Sequence, residues 1–531
     1  MSFKGKILIT EEISRQAIDS LKKDFAVDLK KELSSQDLLR EINKYDALII
    51  KSATRINEDV IKKADNLKVI AKAGASIDNI DIKSATRKGI YVINSVASNL
   101  VSAAELAITL IMACSKKINI VCRTGAAKKD IDRLKLKGIE LEGKILGIVG
   151  LGKTGNLVAK KALALGMEVY AFDPYVSEDK FWQSDIKRKD NLEDLFRISD
   201  FISVHLPKTK ETSGVINKKL FDCMKSDSVI VSLSKKGIIV EEDLYDAVKG
   251  KKIGAAAIDL SEADYLKDSK LSELEEVILT PHLSGSTLDA QEKTGLEISR
   301  QVTDILNGKI PGNAINLPLL SQEIIEESYP FYELCNNLGS IFAQFFEKDL
   351  KEVEIIYNGR VAQLKTDFLT TVIISKILEI KTTERVNIVN ARMICEEKKL
   401  KVKETKDIKT QDFINLIKIK GMGDEYLMTL SGTVTGIKNV PRFISIDKFE
   451  IDMVPSKHMA FLRYKDIPGQ IGKIGTAFGK LGVNIAAMHV GRKVVSGEAL
   501  MGLNLDCKVS SDMLAKFKEL SGFNDIRIIN L

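Results

Sequence analysis

The chain has 531 residues, enough for three or four domains, with 44% apolar and 29% charged residues, a balance that fits a soluble globular protein and excludes a disordered or membrane-embedded one. Its net charge of +7, from 80 basic and 73 acidic residues, is spread over Lys-rich helices without interleaved aromatics. That pattern describes a solvated surface and excludes nucleic acid as a partner.

Six cysteines (Cys114, Cys122, Cys223, Cys335, Cys395 and Cys507) lack C-x-x-C spacing. This argues against a metal site and a disulfide framework, and for a reducing cytosol. The run Leu106 to Cys114 is too short to span a membrane. The opening residues enter a predicted strand without a signal-peptide core, so the expected location is cytoplasmic.

Residues 1–98 alternate predicted strand and helix. Strands fall at Lys6 to Thr10, Ala47 to Lys51, Leu67 to Ala71 and Gly89 to Asn94, with a helix at Glu11 to Asp24. Such alternation predicts a parallel sheet covered by helices. A connector, Asn94 to Asn99, leads into a long predicted helix, Ser102 to Lys117.

The stretch Lys144 to Asp173 reads as strand, glycine turn, helix and strand. Gly150, Gly152 and Gly155 form G-x-G-x-x-G: a tight turn, a close backbone approach to a pyrophosphate, and helix packing on strand. The predicted helix, Asn156 to Leu165, offers its N-terminus to phosphates. Asp173 ends the second strand, where a carboxylate takes both ribose hydroxyls and repels a 2′-phosphate. The cofactor expected is NAD.

Further strands are predicted at Phe201 to His205, Ser228 to Leu233, Ala255 to Asp259 and Val277 to Thr280. Functional residues of such sheets lie at strand C-termini. Hydride transfer from a secondary alcohol needs a base, a carboxylate to orient it and a cation for the substrate's carboxylate. With four histidines in the chain, His282, just past the last strand, is the candidate base. His205 reads as lining the cofactor site, and His458 and His489 as structural or near a regulatory site. A helix from Thr287 to Asn307 leads towards Pro311 and Pro318.

Residues 320 to 455 show a helix (Tyr332 to Glu347), a strand (Val353 to Tyr357), no glycine-rich phosphate loop and no histidine. They read as a structural or interaction domain. After Pro455 the pattern is βαββαβ, with strands at Met459 to Tyr464, Val483 to Val490, Ala499 to Asp506 and Asp525 to Ile529. A four-stranded sheet with two helices on one face is a common small-ligand regulatory module.

G-L-G-K-T-G (150–155), V-H-L-P (204–207), T-P-H-L-S-G-S-T (280–287) and K-A-G-A-S-I-D-N (72–79) resemble the D-2-hydroxyacid dehydrogenase family. D-I-P-G-Q-I-G-K-I-G (466–475) and G-V-N-I-A-A-M-H-V-G-R (482–492) resemble an ACT domain. N-G-R-V-A-Q-L-K-T (358–366) and R-V-N-I-V-N-A (385–391) resemble the intervening domain of the long form of D-3-phosphoglycerate dehydrogenases.

The resemblance implies an α/β chain: a Rossmann-like NAD-binding domain (99–287) inserted in a flavodoxin-like substrate domain (1–98 and 288–318). An α+β intervening domain (319–456) and an ACT domain (457–531) follow. It implies oxidation of 3-phosphoglycerate to 3-phosphohydroxypyruvate, the entry to serine synthesis, by a homotetramer with L-serine as effector. The cofactor residues it implies are Gly150, Gly152, Lys153, Thr154, Gly155, Asp173, Leu206, Leu233, Ser234, Asp259, Ser284 and Gly285. For substrate it implies Lys72, Ala75, Ser76 and Asn79, and for effector Tyr464, Asp466 and Asn484.

Departures centre on catalysis. Lys235 stands where the family has its catalytic Arg, keeping the charge but losing the planar fork. Asp264 stands for the family's Glu, with Glu262 as the alternative, because the segment to His282 is about one residue short. Val96 replaces a usual Pro. These leave two readings: a cationic pocket of Lys72, Lys235 and Lys236 in an active enzyme, or a weakened NAD- and serine-binding homologue. A dehydrogenase for another 2-hydroxy acid is a third.

Overall fold

The computed structural model of the chain describes residues 3–531 apart from 32, 75, 96–98, 127–135, 183, 261, 266–268, 318–321, 410–411, 425 and 495–496. Ala75, Val96 and Pro318 lie outside the described residues.

Short runs of Ile, Val, Leu and Ala become strands, and the central ones, as in Ala47–Ile50 and Val69–Lys72, are buried on both faces, as a parallel sheet between helices requires. In the first sheet these are β1 (Lys6–Ile9), β2 (Ala26–Leu29), β3 (Ala47–Ile50), β4 (Val69–Lys72) and β5 (Tyr91–Asn94). They lie parallel in the order β2-β1-β3-β4-β5, the flavodoxin-like order. The returning helix Leu288–Leu306 packs on helix Arg15–Leu21 and on β4 and β5, and its Ile298, Val302 and Ile305 share one apolar cluster with Ile7 and Ile9 of β1. The intervening strands are therefore an insertion into this first unit.

The inserted sheet contains β6 (Ile145–Val149), β7 (Glu168–Phe172), β8 (Ile186–Arg188), β9 (Phe201–Val204), β10 (Val229–Ser232), β11 (Ala255–Leu260) and β12 (Val277–Pro281). Its order, β12-β11-β10-β9-β6-β7-β8, is parallel throughout and reverses direction between β6 and β9. That is the doubly wound dinucleotide fold, with its crevice at the reversal.

A mixed sheet follows: β13 (Glu352–Gly359), β14 (Lys401–Asp407), β15 (Asn415–Met422), β16 (Leu427–Thr435), β17 (Val440–Ile446) and β18 (Phe449–Met453). Helices Gln322–Phe345 and Asp367–Lys381 cover it. Asn387 and Arg385 tie this unit to the first sheet through the carbonyls of Gly89 (2.7 Å) and Leu67 (2.8 Å).

The last unit has strands β19 (His458–Lys465), β20 (Ile485–Arg492), β21 (Glu498–Leu505) and β22 (Ile526–Asn530), with helices Gln470–Lys480 and Ser511–Ser521. Its antiparallel order, β20-β21-β19-β22, gives the expected βαββαβ sheet. Phe345 and Phe461 meet edge to face at 5.0 Å, so the last two units share core packing.

Three local expectations change. The first helix begins at Arg15, not Glu11, because Ser14 caps it and the Glu11 carboxylate accepts backbone N–H groups of Lys51, Ala53 and Thr54. The helix expected from Asn156 starts at Lys153, directly on Gly152. The helix expected from Tyr332 starts at Gln322 and runs through Pro330, although proline supplies no N–H there. Among the described residues, no helix is long and apolar enough to cross a membrane.

Candidate active site

The nucleotide turn is shaped by what its glycines lack. Gly150 has φ +92°, and a Cβ there would lie 2.8 Å from the His205 carbonyl oxygen. A Cβ on Gly155 would lie 2.2 Å from the Gly150 carbonyl oxygen. A Cβ on Gly152 would meet no atom within 4 Å, so this face of the turn is open. Gly152 is also the N-cap of helix Lys153–Ala164 and provides no side-chain cap. The first N–H groups of this helix, at Lys153 and Thr154, thus have no side-chain cap from Gly152, the arrangement that suits a pyrophosphate.

Asp173, at the end of β7, accepts N–H groups of Leu151 (2.8 Å) and Tyr175 (2.9 Å). It fixes the turn and brings a carboxylate to its rim. Ser234 is buried; its Oγ accepts the Leu206 N–H (3.0 Å) and donates to the Val204 carbonyl (3.2 Å), joining the loops after β9 and β10. Leu206 and Leu233 are half-buried beside it. His205 Nε2 lies 2.8 Å from Ser203 Oγ, and burial pushes its pKa down to about 4, so it is a neutral wall and not a base.

His282 follows β12 immediately, with φ 55° and ψ 51°, a left-handed conformation costly for a residue with a Cβ. Asp259 maintains it. This buried carboxylate accepts Thr280 Oγ1 (2.6 Å), Leu283 N (2.9 Å) and Ser284 N (3.2 Å), and its Oδ2 lies 4.0 Å from His282 Nδ1. The imidazole is exposed, and the loop carrying Ser284 and Gly285 packs on helix Leu100–Ser115. Among the described residues the carboxylate paired with His282 is Asp259. Asp264 sits half-buried in the short helix Glu262–Tyr265, and the Glu262 side chain lies outside the described residues.

Two lysines come from opposite units. Lys72 ends β4 and is 2% exposed; its Nζ donates to Ser52 Oγ (3.1 Å). Burial pushes its pKa down to about 8, against the pull of Glu11 and Asp78. Burial would raise the Glu11 carboxyl, but the backbone N–H groups of Thr54, Lys51 and Ala53 outweigh it and hold it low. Lys235, after β10, pairs with Asp78 Oδ2 at 3.0 Å. Ser76 Oγ donates to that same oxygen at 2.7 Å. Asn79 donates to the carbonyls of Lys51 (2.8 Å) and Thr54 (2.5 Å), bracing the loop after β3.

In the last unit the Tyr464 hydroxyl is buried without a hydrogen-bond partner among the described residues. Asp466 pairs with Arg492 (3.1 Å) and Asn484 donates to Asp506 (2.6 Å). The sequence reading missed Arg492 and Asp506, and also Asp78, Glu11 and Ser52. A signal existed for Glu11, which lies just past the C-terminal end of β1. Asp78 stood inside the 72–79 motif beside Asn79.

An open glycine turn at a sheet reversal, with a histidine and lysines gathered at strand ends, defines a class, and the comparisons agree. The family described as "D-isomer specific 2-hydroxyacid dehydrogenase, NAD binding domain" matches residues 108–284, so the cofactor is NAD. "D-3-phosphoglycerate dehydrogenase intervening domain" matches 328–447 and "ACT domain" matches 458–522. The chain belongs to the D-3-phosphoglycerate dehydrogenase family. It is 36% identical to D-3-phosphoglycerate dehydrogenase of Methanocaldococcus jannaschii, over 99% of this chain and 100% of that one. With the enzyme of that name from Bacillus subtilis it shares 31% identity, over 99% of each. Among solved structures, D-lactate dehydrogenase from Escherichia coli aligns at 25% identity and TM-score 0.51, covering 58% of this chain and 99% of that one.

Proposed function

We propose that the protein oxidises 3-phospho-D-glycerate to 3-phosphohydroxypyruvate, the first step of L-serine biosynthesis. The observation that carries this reading is the His282 turn: an exposed imidazole held over a buried Asp259 at the end of β12. Nδ1 faces Asp259, so Nε2 is free to take the proton of the substrate's C2 hydroxyl. Asp259 steadies the imidazolium that results. Lys235 pairs with the substrate carboxylate and polarises the forming carbonyl, and Lys72 adds positive charge for a phosphorylated anion. NAD would supply the hydride acceptor for C2. Gly150 to Gly155 and the start of helix Lys153–Ala164 would hold its pyrophosphate, and Asp173 its adenosine ribose. The names of the full-length relatives support the substrate.

The same reading makes the protein a cytoplasmic homotetramer inhibited by L-serine. Tyr464, Asp466 and Asn484 line the effector site, and the Tyr464 hydroxyl, buried without a hydrogen-bond partner among the described residues, is the supporting feature. The test of the reaction is NADH formation from 3-phosphoglycerate by wild type against His282→Ala. The test of regulation is calorimetry with L-serine on the intact protein; no heat at intact fold contradicts it.

A further inference from the structure

Asp78 has no part in the chemistry above, yet its carboxylate holds the cation assigned to the substrate. Lys235 Nζ and Asp78 Oδ2 are 3.0 Å apart and join the loop after β10 to the loop after β4, across the two α/β units. The residues are separated by 157 positions in sequence. Ser76 fixes the Asp78 carboxylate, and the Ser76 and Lys235 hydrogen bonds together hold its pKa below the ordinary value. The other cation nearby, Lys72, is buried and directed to Ser52, whereas the side chains of Lys235 and Asp78 are 57% and 75% exposed.

We propose that Asp78 is a positioning residue that holds Lys235 across the cleft and competes for it with the substrate carboxylate. The inference rests on the reading of Lys235 given under the proposed function. An ammonium gathers its three donors on one compact charge with no planar fork, so an incoming carboxylate shares that charge with Asp78 and weakens the pair. A guanidinium, with five donors in a fork, holds a carboxylate bidentately and keeps a donor for Asp78. Competition is therefore a property of lysine at position 235 and disappears with arginine. The exposed pair is weak and screened by salt, so the exchange is fast and leaves the fold intact.

The test compares wild type, Asp78→Asn, Lys235→Arg and the double variant, each loaded with NAD. Oxalate is the calorimetric probe, since it presents a carboxylate next to a carbonyl and needs no turnover. Asp78→Asn is expected to tighten oxalate about threefold in the lysine background and to leave it unchanged in the arginine background. The KM for 3-phosphoglycerate falls in parallel, and the effect appears in KM and not in kcat. Oxalate binding that is absent, weaker or unchanged in Asp78→Asn overturns the proposal, as does equal tightening in both backgrounds. Wild-type protein that binds oxalate but forms no NADH from 3-phosphoglycerate removes the substrate reading alone.

Discussion

His282 Nδ1 lies 4.0 Å from Asp259 Oδ2, and the two ends of this pair have opposite surroundings. The imidazole is 65% exposed at the cleft and the carboxylate 1% exposed beneath it. Asp259 also takes two backbone N–H groups of the turn that carries the histidine. One residue therefore sets both the electrostatics and the backbone of the base. Asp259→Asn keeps the shape but removes the charge, and its amide N–H groups face donors. The expected result is a fall in kcat of about 10²-fold or more, with KM for NAD changed far less, measured by steady-state kinetics.

The glycine turn separates a cofactor effect from a folding effect. Gly152→Ala meets no atom within 4 Å, so the melting temperature is expected to stay while NAD affinity, read by calorimetry, weakens at least about tenfold. Gly155→Ala drives a Cβ to 2.2 Å from a backbone oxygen. It is expected to lower stability by about 1–3 kcal/mol in denaturant titration, whether or not NAD is present.

These strands and this turn were legible because apolar runs and a glycine fingerprint are local signals. β2 and β8 escaped the reading: each is short, and neither carries a fully buried run, with Lys187 and Arg188 exposed in β8. The histidine was legible from its place after a strand. Asp259, 4.0 Å from it, was read as a cofactor residue, and its closeness follows from a pairing register that sets it opposite Thr280, next to the His282 turn, which no local pattern encodes. Lys72 read as part of a cationic pocket just past a strand ending at Ala71, yet β4 continues through it and buries it. The Lys235–Asp78 pair joins two separate sheets, and no pattern within either one encodes it.

Lys72 carries a pH signature. Its pKa of about 8 lies below the ordinary lysine value, so between pH 8 and that value the folded chain binds fewer protons than the unfolded one. From this group, stability therefore rises with pH across that window, and below pH 8 the cost of burying the charge is fully present. Lys72→Met is expected to stabilise the fold at pH 7 by about 1 kcal/mol, after discounting for solvent screening, with the gain shrinking above pH 8. KM for an anionic substrate rises at least about tenfold in the same variant. Thermal melts at several pH values check the first effect and kinetics the second.

In the regulatory unit, Arg492 occupies the carboxylate of Asp466, one of the residues proposed to line the effector site. Arg492→Gln frees it, and L-serine affinity is expected to rise by about two- to fivefold, the worth of an exposed ion pair. Calorimetry of the intact protein checks this, with Asp466→Asn as the variant that loses serine binding.

The central claim is that this lysine-bearing site turns over 3-phosphoglycerate. The direct measurement is initial-rate NADH formation from NAD and 3-phosphoglycerate by wild type, His282→Ala and Lys235→Arg, with NADP in parallel. The account predicts turnover by wild type, a loss of about 10²-fold or more in His282→Ala, retained activity in Lys235→Arg and a clear preference for NAD. Wild-type rates equal to those of His282→Ala would contradict it.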